Sequence, residues 1–149
     1  MREILYRGKL VQNGAWVYGY YCKMGETTYA FEEDYQKYPV KTFHMIAQES
    51  MTDWGLPNKL RLYEIDPETV GQYTGKNDRN AKKIFEGDIL RNDSTGEIVS
   101  VWWDEDHCCF VCRGGEVSPV QVGSVSYQST IIGNVHENPE ILEQKGDKT

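Results

Sequence analysis

The stretch between residues 84 and 135 alternates between short apolar runs and turns, and this pattern constrains the fold more than any other feature. The runs are rich in β-branched and aromatic residues and occupy positions 84–85, 89–91, 97–103, 107–112 and 130–135. Turn-forming residues separate them at 86–88, which includes Gly87 and Asp88, at 92–96 and at 104–106. Short strands at intervals of about 8–12 residues are typical of a small barrel or sandwich. We therefore predict a small SH3-like β-barrel over residues 83–143, with a helical turn at its end and a flexible tail over 144–149.

The first half of the chain is also rich in strand-forming residues, with less regular spacing. Two such runs, 16–22 and 27–31, flank four residues that include Gly25, which predicts a β-hairpin. Residues 60–65 alternate as a strand does, whereas residues 43–54 fit either a strand or a short helix. The chain is thus predicted to be mainly β with small α content. Its two β-rich subdomains are expected at 1–65 and 83–143, with a linking loop over 66–82.

The charge of the chain disfavours nucleic acid as a partner. Its net charge is −7, from 23 acidic and 16 basic residues, whereas phosphate binding requires a basic face. The densest basic stretch contains Lys76, Arg79, Lys82 and Lys83, but Asp78 lies within it. That stretch fits a solvated loop better than a phosphate-binding patch.

The sequence also indicates a compartment. No apolar run reaches the roughly 18 residues of a membrane helix, and the first residues contain no apolar segment typical of a secretory signal. Four cysteines without an export signal favour free thiols in a reducing compartment. We therefore expect a cytoplasmic protein that does not bind membranes.

Two cysteines near the acidic turn raise the question of a metal site. Cys109 and Cys112 have the spacing of a zinc knuckle, and the remaining candidate ligands are His107, Cys108, Cys22 and His136. Side chains alternate along a strand, so these two cysteines would point to opposite faces. Buried cysteine packs as a small apolar residue. We predict core packing, with no metal and no cofactor.

No catalytic residue is predicted. The segment 71–76 superficially resembles a phosphate-binding loop, but only three residues separate its glycines and no hydroxyl residue follows Lys76. The chain has no G-x-S-x-G nucleophile motif. Its three histidines, His44, His107 and His136, lie far apart in the sequence. An enzyme is therefore the least favoured class of function.

Adjacent aromatic residues are the strongest compositional feature. Tyr20 and Tyr21 are neighbours, as are Trp102 and Trp103, so one ring of each pair is expected to face outward from a strand. Exposed aromatic surface favours protein interfaces, base stacking or ligand grooves. We predict an interaction surface that contains the following residues: Tyr73, Trp102, Trp103, Asp104, Lys76 and Lys82.

Four blocks of sequence, in order, resemble the YopX family of phage and prophage proteins. They are residues 68–75, 82–90, 101–104 with Phe110, and 131–142, and the first residues also fit. The resemblance implies a protein of the bacterial host cytoplasm that forms homo-oligomers, and it implies no reaction or cofactor. One departure is Asn80-Ala81, where the family usually has Asn-Gly. Because Ala resists a positive φ, this departure argues against a tight two-residue turn there.

Together these features favour a non-enzymatic binding or assembly protein of phage or prophage origin. Its expected partners are further copies of itself and an unidentified host or phage protein. The alternatives are a nucleic-acid-linked accessory protein that uses the basic stretch and exposed aromatic rings, or an acidic mimic of nucleic acid. A metal-dependent enzyme built around His107 and the cysteines is the less favoured third hypothesis.

Overall fold

The chain is mainly β, as predicted, with a few short helices; a computed structural model describes residues 1–144. It divides into two compact units. The N-terminal unit is Leu5–Val70, and the C-terminal unit consists of Met1–Ile4 together with the residues from Gly71 onward. The tail predicted over 144–149 lies, apart from Gln144, outside the described residues.

The N-terminal unit is built on four antiparallel strands in the order β4-β3-β2-β1. Its elements are β1 Tyr6–Lys9, β2 Trp16–Gly25, α1 Glu32–Lys37, β3 Thr42–Ser50, β4 Lys59–Glu64 and a 3-10 turn Pro67–Thr69. The ambiguous segment 43–54 is therefore largely strand. Its Ile46 lies opposite Tyr21 of β2 and Tyr63 of β4, so β3 is the middle strand of this region.

The hairpin predicted between 16–22 and 27–31 is wrong. β2 continues to Gly25 and pairs with β3, and residues 27–31 form no strand. Tyr29 is instead tied to α1, because its backbone N–H donates to the Tyr35 hydroxyl at 2.9 Å and the two rings pack edge to face. The strand-forming composition of 27–31 is thus used in a local contact with the helix that follows.

The core of the N-terminal unit lies on one face of its strands. Val17, Ile46 and Ile65 are buried there. The partly buried side chains that pack around them are Tyr6, Leu10, Tyr21, Tyr63 and Val70. An antiparallel bridge between Leu10 and Ile65 joins the end of β1 to the residue after β4. Alternation along the strands places the neighbouring residues on the opposite face.

The C-terminal unit contains a five-stranded antiparallel sheet in the order β10-β9-β8-β7-β11 and a further hairpin, β5-β6. Its strands are β5 Gly71–Asn77, β6 Lys83–Phe85, β7 Asp88–Asn92, β8 Ile98–Asp104, β9 Cys109–Arg113, β10 Val120–Gln121 and β11 Ser129–Asn134. Its helical elements are α2 Val122–Val125, a 3-10 turn Ser126–Gln128 and α3 Glu140–Glu143. The predicted terminal helical turn is α3.

Two features of this unit differ from the prediction. β10 and β11 are the ends of the sheet order, so the sheet is open and an SH3-like barrel is not confirmed. The linking loop predicted over 66–82 contains β5 and the 3-10 turn, so much of it is regular structure. Its glycines had suggested a loop, but Gly71 is needed because a Cβ there would lie 2.6 Å from the Glu86 carbonyl oxygen.

The core of the C-terminal unit is a single cluster that β6 to β9 and α2 share. Its buried members are Ile84, Leu90, Val99, Val101, Phe110, Cys112 and Val122. The turn that leads into β7 is the one expected from Gly87 and Asp88. Gly87 has φ +87°, and the Asp88 carboxylate accepts the Phe85 backbone N–H at 2.8 Å.

The turn at 78–82 contains an alanine with a positive φ. Ala81 has φ +62°, which L-residues rarely adopt. The Asp78 carboxylate holds this turn, because it accepts the backbone N–H groups of Asn80 at 2.8 Å and Lys82 at 3.0 Å. Three residues, 79–81, lie between Asp78 and Lys82, whose backbone N–H and carbonyl are hydrogen bonded at 2.8 Å, so the two-residue turn that the alanine argued against is not formed, although Ala81 itself takes a positive φ.

Within residues 1–144, none of the helices combines the length and the apolar character that crossing a bilayer demands.

Candidate functional site

All six residues of the predicted interaction surface lie in the C-terminal unit, but they do not form one patch. Tyr73 is buried, with its ring against Phe85 at a centroid distance of 5.7 Å. Its hydroxyl donates to the Asn77 side chain at 2.7 Å. Tyr73 therefore holds the β5-β6 hairpin together and presents little surface to a partner. Lys82 is exposed in the 78–82 turn.

The two adjacent tryptophans of β8 point to opposite faces, as the alternation of a strand requires. The Trp102 indole N–H donates to the Ser100 hydroxyl at 2.8 Å, and the side chain is half-buried. Trp103 continues the core-facing row of Val99 and Val101 and remains 39% exposed. Its ring packs edge to face on Phe110, the residue opposite it in β9, at 5.0 Å.

A cavity of about 240 Å³ opens beside Trp103 and brings Lys76 to it. We call it the Trp103 cavity; it is lined by Arg2, Lys76, Trp103, Phe110, Gln121 and Gly123, among others. Lys76 reaches it because its stem lies over Gly123: a Cβ on that glycine would be 3.3 Å from Lys76 Cε. Two of the six predicted residues, Lys76 and Trp103, thus meet in one place.

Asp104 lies at the end of β8 and orients a histidine. Its carboxylate is 2.9 Å from His107 Nδ1 and also accepts the Asp106 backbone N–H at 3.0 Å. The hydrogen bond with His107 is the largest cause of a pKa for Asp104 below its ordinary value. These contacts close the acidic turn that the sequence predicted at 104–106.

A carboxylate, an imidazole and a thiol line a second cavity, of about 190 Å³. Asp104, His107 and Cys109 meet there, a convergence that the sequence had not predicted. Within the described residues, however, the Cys109 thiol makes no hydrogen bond to His107. Contact with a base is one way to activate a thiol. The cavity therefore places a histidine oriented by Asp104 near a thiol that this histidine does not contact.

The cysteines of the zinc-like spacing are separated as the strand geometry predicted. Cys112 is fully buried in the core, and burial raises the pKa of its thiol to about 12. Cys109 is half-buried and faces the two cavities. The two thiols thus lie on opposite sides of β9, one in the core and one at the cavities. Among residues 1–144, no three His, Cys, Asp or Glu side chains form a group suited to a metal ion.

Carboxylates neutralise two cations of the basic stretch. Arg79 pairs with Asp93 at 3.0 Å, and Lys83 pairs with Glu3 at 3.1 Å. Asp93 also accepts the Thr130 hydroxyl, which is the largest cause of its lowered pKa, and it contacts Arg91. Two of the four cations of the stretch are therefore in ion pairs. The other two, Lys76 and Lys82, are exposed and have no carboxylate partner among the described residues.

The N-terminal unit carries a surface that the sequence did not identify. Tyr20, Ala47 and Leu62 lie in one row across β2, β3 and β4, on the face opposite the core. We call this surface the outer β2–β4 face; its exposed members are Tyr18, Tyr20, Leu60 and Leu62, and the buried Met45 and Ala47 lie on the same side of β3. Leu60 and Leu62 are 66% and 54% exposed, and β4 is a terminal strand in the sheet order. Alternation predicted the strand at 60–65 but could not tell which face is buried.

A family model described as YopX protein matches residues 5–143, which is nearly the whole described chain. The chain belongs to the YopX family. The resemblance expected from the four sequence blocks is thus confirmed. The match extends across both units.

The fold has a counterpart among solved structures. This chain is similar to the crystal structure of protein EF1440 from Enterococcus faecalis, with a TM-score of 0.57 and 18% sequence identity. The similarity covers 95% of this chain and 99% of that one. At such low identity the likeness shows a common fold and nothing about function. A comparison with curated proteins gives no match.

Proposed function

We propose that this YopX-family protein is a non-enzymatic binding and assembly protein that acts as a homo-oligomer. The observation that supports this function is the outer β2–β4 face. Exposed apolar side chains that cluster on one face of a domain mark an interaction site. A second copy of the chain is its proposed occupant.

The position of β4 at the end of the sheet order favours a second copy of the chain over other partners. A terminal strand exposes backbone N–H and C=O groups that can pair with another strand. Two copies of β4 in antiparallel contact form a self-complementary interface with two-fold symmetry. The Glu64 end is already occupied, because its carbonyl oxygen accepts the Val11 N–H at 3.2 Å and its carboxylate lies 3.6 Å from Lys41 Nζ, so we place the pairing on Lys59 to Tyr63. The apolar side chains of the two outer faces then form one continuous surface.

The biological setting is part of the proposal and rests on the family. We infer a phage or prophage protein that acts in the bacterial host cytoplasm and binds a host or phage protein in addition to itself. The net charge of −7 supports a protein partner over nucleic acid. The pairing of Arg79 and Lys83 with carboxylates further reduces support for the nucleic-acid-linked alternative.

The molar mass in solution tests the proposal. Light scattering at micromolar concentration should give a multiple of 17.2 kDa for the wild-type chain. The double substitution Leu60→Glu with Leu62→Glu should reduce the mass to that of one chain, because like charges would face each other across the interface.

A matched control separates this interface from general surface effects. Val117 is 76% exposed and lies in the C-terminal unit, so Val117→Glu adds a charge at an apolar surface position elsewhere. That variant should keep the wild-type mass. A single-chain mass for the wild-type protein at micromolar concentration would overturn the proposal.

A further inference from the structure

We propose that the Trp103 cavity binds a mononucleotide, with its base against the indole ring and its phosphate at Arg2 and Lys76. This inference concerns the C-terminal unit and does not depend on the outer β2–β4 face. It starts from the chemistry of the lining residues, which differs from that of the chain as a whole.

The charge of the cavity is opposite to the charge of the protein. The chain has 23 acidic residues against 16 basic ones, yet the lining contains two cations and no Asp or Glu. Lys76 has no carboxylate partner in the described residues, and its stem over Gly123 leads its ammonium group to the cavity. A local cluster of cations without anions favours a negatively charged ligand.

The apolar part of the cavity selects a flat ring. Trp103 is held by its edge-to-face contact with Phe110 and keeps 39% of its surface exposed at the margin of the core. An aromatic surface of this kind stacks any nucleobase. Gln121 is exposed at the cavity, and its amide offers one donor and one acceptor to a base edge.

The size of the cavity limits the ligand. A volume of about 240 Å³ is below the roughly 300–1,000 Å³ of pockets that enclose drug-sized molecules. It accommodates one nucleobase, and we place the sugar and phosphate toward Arg2 and Lys76, which also line the cavity. The ligand class is therefore a single nucleotide.

Titration with adenosine monophosphate tests the site, and the Trp103 indole N–H signal in NMR is the readout. That signal is assigned by its loss in Trp103→Phe. We expect saturable binding of adenosine monophosphate in low salt, with adenosine and inorganic phosphate each at least about tenfold weaker, because each lacks half of the contacts. Equal affinity for adenosine and the nucleotide would overturn the role of the cations.

Substitutions separate the roles of charge, stem and ring. Lys76→Met keeps the apolar stem and removes the charge, so it should weaken nucleotide binding about tenfold and leave adenosine binding unchanged. Trp103→Ala should weaken the binding of both adenosine monophosphate and adenosine by about tenfold. Equilibrium dialysis measures this variant, because it has no Trp103 indole signal. Gly123→Ala should also weaken nucleotide binding, because its Cβ would displace the flexible Lys76 stem without touching the backbone.

The control is Lys82→Gln, which removes an exposed cation that does not line the cavity. It should bind the nucleotide as the wild type does. An equal loss in Lys82→Gln and Lys76→Met would show a general charge effect and overturn the site, as would absence of saturation at about 10 mM nucleotide. A five-nucleotide single strand that binds more than tenfold tighter would assign the surface to nucleic acid and overturn a mononucleotide site.

Discussion

The two units of this YopX-family chain differ in how the backbone groups at the edges of their sheets are hydrogen bonded. In the C-terminal unit, β10 has two residues, and the 78–82 turn lies against the edge strand β11. There Arg79 N–H donates to the Ser129 carbonyl, and Ile131 N–H donates to the Asp78 carboxylate. In the N-terminal unit, β4 has six residues and is terminal in the sheet order.

The two units also differ in how many apolar side chains they bury. Among the described residues, seven buried side chains form the core cluster of the C-terminal unit, against three in the N-terminal unit. The N-terminal unit instead places Leu60, Leu62 and Tyr20 on an exposed face. The N-terminal unit therefore has the smaller buried cluster and more exposed apolar side chains, although Trp103, Val117 and Tyr127 are also exposed in the C-terminal unit. The expected effects of substitutions follow this difference.

The largest expected effect comes from the same substitution made in both units. Leu90→Ala removes a fully buried side chain and should lower the free energy of unfolding by about 2–5 kcal/mol. Leu62→Ala removes an exposed side chain and should change it by less than about 0.5 kcal/mol. Urea denaturation at a concentration where the chain is a single copy provides the measurement. Equal losses would mean that the two faces are equally packed.

The substitution with the next largest effect tests how closely β2 and β3 pack. A Cβ at Gly19 would overlap the Ala47 carbonyl oxygen, so Gly19→Ala should destabilise the chain by about 1–3 kcal/mol. Gly25→Ala in the same strand is the matched control, because its Cβ would lie 3.6 Å from the nearest atom, an ordinary contact. Similar thermal unfolding of both variants would contradict the packing seen here.

Local patterns predicted most of the C-terminal strands, the turn at Gly87 and Asp88, and the family. They failed where a contact joins distant residues. β2 pairs with β3, where the buried Ile46 lies opposite Tyr21. Residues 27–31 are equally rich in strand-forming residues, so composition alone could not show which segment pairs with β2. An open sheet and a closed barrel share the same alternation, so sequence could not distinguish them.

The candidate site could be predicted only in part, for the same reason. Lys76 and Trp103 meet because α2 supplies Gly123 between them, and nothing in the sequence near either residue indicates that contact. Tyr73 and Trp102 are predicted in the interaction surface. In the structure the Tyr73 hydroxyl donates to the Asn77 side chain and the Trp102 indole N–H donates to the Ser100 hydroxyl, both within the C-terminal unit. The alternation that includes Leu60 and Leu62 predicts a strand but not which of its faces is exposed. In the structure Tyr63 packs against the core, so Leu60 and Leu62 lie on the exposed face.

A charged contact of the C-terminal unit should give a smaller, pH-dependent effect. Hydrogen bonds from Thr130 and Arg79 lower the pKa of Asp93, so the folded chain favours its ionised form. The stabilisation is complete above the ordinary pKa of about 3.8 and is lost as the pH falls through the lower pKa of the folded state. Asp93→Asn should therefore lower Tm at pH 7, and the difference from wild type should shrink below pH 3.8.

Thermal unfolding from pH 7 to pH 3 measures this difference. Asp106→Asn, which removes an exposed carboxylate of the same unit, is the control and should leave Tm nearly unchanged. A Tm difference between Asp93→Asn and wild type that grows toward low pH would contradict the assigned sign.

The smallest expected effect is a gain in stability at Ala81. Both non-glycine residues with positive φ in the described chain, Ala81 and Cys108, lie in the C-terminal unit, whereas Gly14 and Gly55 take such positions in the N-terminal unit. A left-handed conformation costs an L-residue about 1–2 kcal/mol, and glycine loses about 0.4–1 kcal/mol through its freer unfolded chain. Ala81→Gly should therefore stabilise the chain by about 0.5–1 kcal/mol.

Ala15→Gly is the matched control, since Ala15 is exposed and has no positive φ; it should be neutral or destabilising in the same urea titration. If Ala81→Gly were equally destabilising, Ala81 would carry no strain, and the Asp78 hydrogen bonds would not be holding it against its preference. A gain would instead mean that the unit with satisfied sheet edges tolerates backbone strain, because the buried Asp78 carboxylate fixes both the 78–82 turn and the adjacent strand β11.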